Sequence, residues 1–105
     1  MTLTVENINP RIGSEIKTDI DTLLGGTEAG HIRSILEQRG VVFFRGLEIS
    51  DDQQVAIAKT LGNLVETEGE GGIYKISLDM DVNERAEYLK GSMFWHFDGS
   101  LQPYP

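Results

Sequence analysis

His96-Phe97-Asp98 sets an imidazole and a carboxylate two residues apart, inside the aromatic stretch Phe94-Trp95-His96-Phe97-Asp98-Gly99-Ser100. In an extended strand, side chains at i and i+2 leave the same face, roughly 6.5–7 Å apart along the backbone. An imidazole and a carboxylate so placed can converge on one ion. They would form the near half of a two-histidine, one-carboxylate facial triad, which binds Fe(II) and leaves the opposite face open to substrate and oxygen. Trp95 and Phe97 would then point the other way and pack the strand. The bare triplet has a second reading, a structural histidine hydrogen-bonded to Asp98 with no metal between them. The triplet alone does not choose.

The other candidates are weaker. His31 meets only Thr27 and Ile35 at helical spacing, neither a ligand partner, and is expected as a surface or half-buried residue. Asp79-Met80-Asp81-Val82-Asn83 imitates the start of a calcium loop, but Glu84 and Lys90 stand where an EF-hand needs glycine and glutamate. Gly69-Glu70-Gly71-Gly72 lacks the lysine and hydroxyl residue that end a phosphate-binding loop, and the acids around it would repel phosphate. It reads as a plain loop.

Composition narrows the function classes. A net charge of −8 argues against nucleic acid and anionic membrane surfaces as partners. The absence of cysteine excludes disulfides, thiolate metal sites and a thiol nucleophile. The first residues carry neither a basic nor an apolar signal region, and no apolar run approaches the ~18 residues of a membrane span. A cytoplasmic location is expected.

The elements that must carry the pair read as follows. Leu3, Val5 and Ile8 suggest a short strand ending at Asn9-Pro10, and Ile12 to Ile16 a second extended piece. Asp19 to Leu24 reads as a connection or turn closed by Gly25-Gly26. Thr27 looks like an N-cap for a helix over 28–39, with Gly40 just past its end. Val41-Val42-Phe43-Phe44 is continuous, β-branched and aromatic, the pattern of a buried strand. Ser50-Asp51-Asp52-Gln53 is a capping box opening a helix over 51–61. Residues 73–78 read as a strand, 79–91 as a polar excursion, and Met93 to Leu101 as extended again. No repeat or linker divides the chain, so residues 1–105 are expected as one domain. This order fits an α/β layered fold or a β-rich fold with helices on one face.

The triplet has company. Ile12-Gly13-Ser14-Glu15-Ile16, Gly40-Val41-Val42-Phe43-Phe44-Arg45-Gly46, then Gln54, Ala58 and Leu61-Gly62, and finally Trp95-His96-Phe97-Asp98 follow one another in a fixed order. That ordered set resembles the taurine dioxygenase (TauD/TfdA) family over about residues 12–98. The resemblance implies an α+β, mainly β fold: the N-terminal portion of a double-stranded β-helix (jelly roll) with flanking helices, incomplete in this chain. It implies an oxidoreductase that uses Fe(II), 2-oxoglutarate as cosubstrate and O2 to hydroxylate a small organic acid, sulfonate- or aryloxyalkanoate-like. In such degraders the hydroxylated carbon collapses to release sulfite or a phenol. His96 and Asp98 carry over as iron ligands. Ser92 matches a position that contacts substrate in some members, and Arg45 reads as structural.

The family's later features, a threonine and an arginine for 2-oxoglutarate and a distal histidine, have no counterpart here, and Leu47 stands where glutamine is expected. The chain is therefore expected to be the N-terminal part of a dioxygenase, inactive by itself. A rival expectation is a non-catalytic interaction module or pseudoenzyme fragment, pairing its open sheet edge with a partner or with itself as a homo-oligomer. A divalent site completed across a dimer interface is a third.

Overall fold

The computed structural model describes residues 3–64, 73, 77–79, 81, 90–98 and 103. The chain divides into two compact units, Met1–Ile73 and Tyr74–Pro105.

The first unit begins with β1 (Thr4–Asn7) and β2 (Ser14–Lys17), an antiparallel pair with Thr4 opposite Lys17 and Asn7 opposite Ser14. The chain then forms α1 (Ile20–Gly25) and α2 (Ala29–Arg39) before returning as β3 (Val42–Phe43). β3 lies parallel to β2, with Ser14 opposite Val42, so the sheet order is β1-β2-β3. A parallel pair cannot be closed by a tight turn; the two helices supply the crossover. α3 (Asp51–Leu61) packs against α1 and α2. This is an α+β arrangement.

The period-2 rule explains β2. Ser14 and Ile16 are buried, and the residues between and after them are not. Ile16 (1% exposed) joins Leu23, Ile32 and Ile35 in the core, and Leu3, Val42, Phe44, Leu47, Ile57 and Leu61 pack around them. Ile32 and Ile35 are three apart, so they share one face of α2.

Arg39, the last residue of α2, holds the turn between β1 and β2. Its Nε donates to Ser14 Oγ at 3.1 Å, Nη1 to the Pro10 carbonyl at 3.2 Å, and Nη2 to the carbonyls of Asn9 and of Gly13, the latter at 3.1 Å. The fully buried Ser14 hydroxyl in turn donates to Asn7 Oδ1 at 2.8 Å. The Gly13 N–H donates to the Arg39 carbonyl at 3.0 Å. Gly13 has φ +90°, a conformation open to glycine and costly for other residues. Arg45, just beyond β3, lies 3.6 Å from Glu15 Oε1 and 5.2 Å above the Phe43 ring, in keeping with a structural role.

Several elements differ from expectation. Asp19 to Leu24 is not a turn: Ile20–Gly25 is helical. Asp19 sits in the extended region and accepts the Thr22 N–H at 2.7 Å, while Gly26 at φ +75° closes the far end by donating to the Leu23 carbonyl. Two good caps sustain a helix too short to show periodicity. Thr27 does not cap α2; Glu28 holds that place without a side-chain capping bond. The strand expected as buried over 41–44 is ladder-paired only at Val42–Phe43, and both residues are half-buried. Among the described residues it is an edge strand, bonded to β2 alone. α3 has the expected limits and both halves of its capping box, Gln53 N–H to Ser50 Oγ at 3.2 Å and Ser50 N–H to Gln53 Oε1 at 2.9 Å.

In the second unit, Lys90–Met93 forms a 3-10 turn, and Phe94 to Asp98 follows outside any strand. The expected extended run therefore does not begin at Met93, which ends the 3-10 turn. The loop expected at 69–72, most of the strand expected over 73–78 and most of the excursion over 79–91 lie outside the described residues. Among the described residues no helix is long and apolar enough to cross a membrane.

Candidate active site

The 3-10 turn Lys90–Met93 is closed by the Phe94 N–H, which donates to the Gly91 carbonyl at 3.1 Å. The next residues turn back on this closure. His96 Nδ1 lies 2.7 Å from the Phe94 carbonyl, and His96 Nε2 lies 3.5 Å from Asp98 Oδ1. The structure thus brings His96 and Asp98 together as the triplet predicts, in a stretch that belongs to no assigned strand. Ser92, the expected substrate contact, lies within the 3-10 turn.

The expected role of the aromatics is corrected. Trp95 and Phe97 do not pack under a strand. Trp95 is fully exposed, and Met93, Phe94 and Phe97 are each at least three-quarters exposed. Among the described residues no strand pairs with this stretch to give them a covered face. The His96 side chain is half exposed and the Asp98 carboxylate almost wholly so.

The pair's spacing suits an ion. Metal bonds of about 2.0–2.2 Å place neighbouring ligands roughly 3.0–3.5 Å apart, and the observed separation is 3.5 Å. Imidazole nitrogen with carboxylate oxygen is a donor set that divalent iron accepts. Among the described residues no third histidine or carboxylate joins them. His31 does not: it is exposed on α2, with Nδ1 3.4 Å from Glu28 Oε2. The residues present therefore fit one part of a metal site.

Sequence reasoning missed two things. The Phe94 carbonyl leaves no residue-type signal, because it belongs to the backbone. The Arg39 cluster has one faint signal, an arginine directly before the helix-ending Gly40.

Comparison with known proteins returns one family. The model of the family described as "Taurine catabolism dioxygenase TauD, TfdA family" matches residues 4–105. The alpha-ketoglutarate-dependent 2,4-dichlorophenoxyacetate dioxygenase of Cupriavidus pinatubonensis is 29% identical over 125 aligned residues, covering 97% of this chain and 42% of that protein. The chain thus spans less than half the length of that curated relative. No solved structure matches. With the family match extending over nearly every residue, His96 and Asp98 included, the chain belongs to the TauD/TfdA dioxygenase family.

Proposed function

We propose that this chain is the N-terminal part of an Fe(II)- and 2-oxoglutarate-dependent dioxygenase that hydroxylates a small organic acid, of aryloxyalkanoate or sulfonate type. The observation that carries the reading is the 3.5 Å approach of His96 Nε2 to Asp98 Oδ1 in a chain of this family. The relative's 2-oxoglutarate dependence and aryloxyacetate substrate support the cosubstrate and the substrate class.

His96 and Asp98 would hold the metal, which would supply oxidation of a C–H bond by O2 at the expense of 2-oxoglutarate. The work of the chain's own residues is ligation and orientation. The imidazole offers a neutral nitrogen and the carboxylate one negative charge, so together they offset half the charge of a divalent ion. The remaining ligand and the groups that bind 2-oxoglutarate would come from sequence beyond this chain, as would the rest of a jelly roll. The exposed Phe94, Trp95 and Phe97 would then line or border the site and help to exclude water from it. Ser92 is proposed as a polar contact to substrate.

The test is Fe(II)-dependent 2-oxoglutarate consumption by the full-length gene product, offered aryloxyacetates and alkylsulfonates. His96→Ala and Asp98→Ala should each reduce turnover by more than about 100-fold, beyond what loss of a mere outer-shell partner costs. Turnover near the wild-type level in either variant would overturn the assignment.

A further inference from the structure

We propose that Asp98-Gly99 is a site of spontaneous covalent modification: the Asp98 carboxyl closes onto the following amide and reopens as isoaspartate, and a cation held by His96 and Asp98 blocks the closure. The first half stands on the sequence and on the exposure of Asp98. The second half rests on the proposed metal role of the pair.

Of all the aspartates and asparagines in the chain, Asp98 alone is followed by glycine. Short acidic side chains reach neighbouring backbone amides readily. Glycine brings no Cβ to crowd that approach and has the widest choice of backbone angles. The Gly99 nitrogen bonds to Asp98 Cγ, the Cγ–OH bond breaks, and the hydroxyl leaves with the amide proton as water. The product is a cyclic imide, a succinimide. Water then opens the ring. Attack at Cγ restores aspartate. Attack at the main-chain carbonyl breaks its bond to nitrogen and leaves the chain running through Cγ. No oxidant or reductant takes part.

The surroundings of Asp98 leave it open to this chemistry. Its side chain is 96% exposed, and the residue lies in a turn outside any strand or helix. Other aspartates are held. Asp19 accepts the Thr22 N–H at 2.7 Å and is followed by the branched Ile20. Asp51 and Asp52 lie in the first turn of α3, where the backbone is fixed in helical geometry. Isoaspartate lengthens the main chain by one methylene carbon and leaves the free carboxylate directly on Cα. The 3.5 Å approach to His96 Nε2 is then lost. A cation bound by the pair acts before that point. A ligating carboxylate is ionised and its oxygen is engaged, so that oxygen does not leave as water.

The experiment ages the full-length gene product at physiological temperature and neutral pH, with a chelator or with Zn(II). Under chelator, peptide mapping should show the Asp98 peptide splitting into two species of equal mass, with a minor one lighter by one water. Methyl transfer from S-adenosylmethionine by an isoaspartyl methyltransferase should rise in step. The rate should come within severalfold of that of a synthetic peptide spanning residues 94–102. Gly99→Val should slow it severalfold, and Asp98→Glu, whose ring would be larger, should abolish it. Zn(II) should slow it severalfold in the protein. No isoaspartate at Asp98 in the chelated protein, when the peptide has converted, would overturn the proposal, as would indifference to Gly99→Val. Isoaspartate forming equally fast with Zn(II) would overturn the protective half, and with it the metal reading on which that half rests.

Discussion

The residues of 3–64 and those of 90–98 are held by opposite means. In the first unit the important contacts span long sequence distances: Ile16 is buried among Leu23, Ile32 and Ile35, and Arg39 bonds to groups 25 to 30 residues earlier. In the stretch 90–98 the bonds of Phe94 and His96 are local, from Phe94 back to Gly91 and from His96 to its neighbours two residues away on either side. Its large side chains bury little. The difference teaches that geometry at the pair does not depend on a core of its own. Long-range packing fixes the first unit, whereas short-range bonds hold the His96 ring in the second.

The strongest way to break that comparison is Ile16→Ala. Ile16 is 1% exposed, and truncating such a residue costs about 2–5 kcal/mol. The denaturant midpoint should fall accordingly; an unchanged midpoint would show that the first unit does not rest on this core.

Arg39→Ala comes next. It removes four donated bonds, one of them to the buried Ser14 hydroxyl, at a cost of roughly 1–3 kcal/mol. Hydrogen exchange should speed up at the Ile8, Gly13 and Ser14 amides while α3 stays protected. Arg39→Lys should not rescue it, because an ammonium cannot reproduce the fork. Uniform exchange across the unit would mean that Arg39 is not a local clamp.

Ser50→Ala should cost about 1 kcal/mol through loss of the N-cap of α3, read from thermal melts. Ser50→Asp, which keeps an acceptor, should recover most of it.

The smallest effect is at Asp19. The Thr22 backbone N–H, then the Thr22 side chain, hold its carboxyl below its ordinary value of 3.8. A carboxylate lowered on folding stabilises above its unfolded value and loses that contribution as pH falls through the lower, folded one. Stability should therefore decline on acidification below about pH 4, and Asp19→Asn should flatten that part of the curve. An unchanged acid limb would remove Asp19 as a contributor.

The legibility of the sequence follows the same division. The capping box at Ser50-Gln53 needed only its own four residues, so α3 could be read to the residue. α2 was legible from Ile32, Ile35 and Gly40, but Glu28 rather than Thr27 begins it, because cap choice depends on how the chain leaves α1. α1 was hidden by its length, since six residues show no periodicity and two glycines imitate a turn. The His96–Asp98 pairing was legible from spacing, whereas the 3-10 turn at Lys90–Met93 just before it was not. The exposure of Trp95 and Phe97 was not legible, because aromatic residues signal burial whether or not a covering surface is present.

The mixed sheet also implies an order of assembly. β1 and β2 are joined by a short turn, but Ser14 meets Val42 only after 28 intervening steps of chain (42 − 14) have been folded back. Closing so long a loop costs entropy before any contact repays it. The hairpin can therefore form early, while the guanidinium of Arg39 reaches its carbonyls only once α2 has been built and docked. A clamp set late contributes little to the transition state. Its loss should leave the refolding rate nearly unchanged and appear instead as faster unfolding, which makes Arg39 a determinant of how long the scaffold lasts once made.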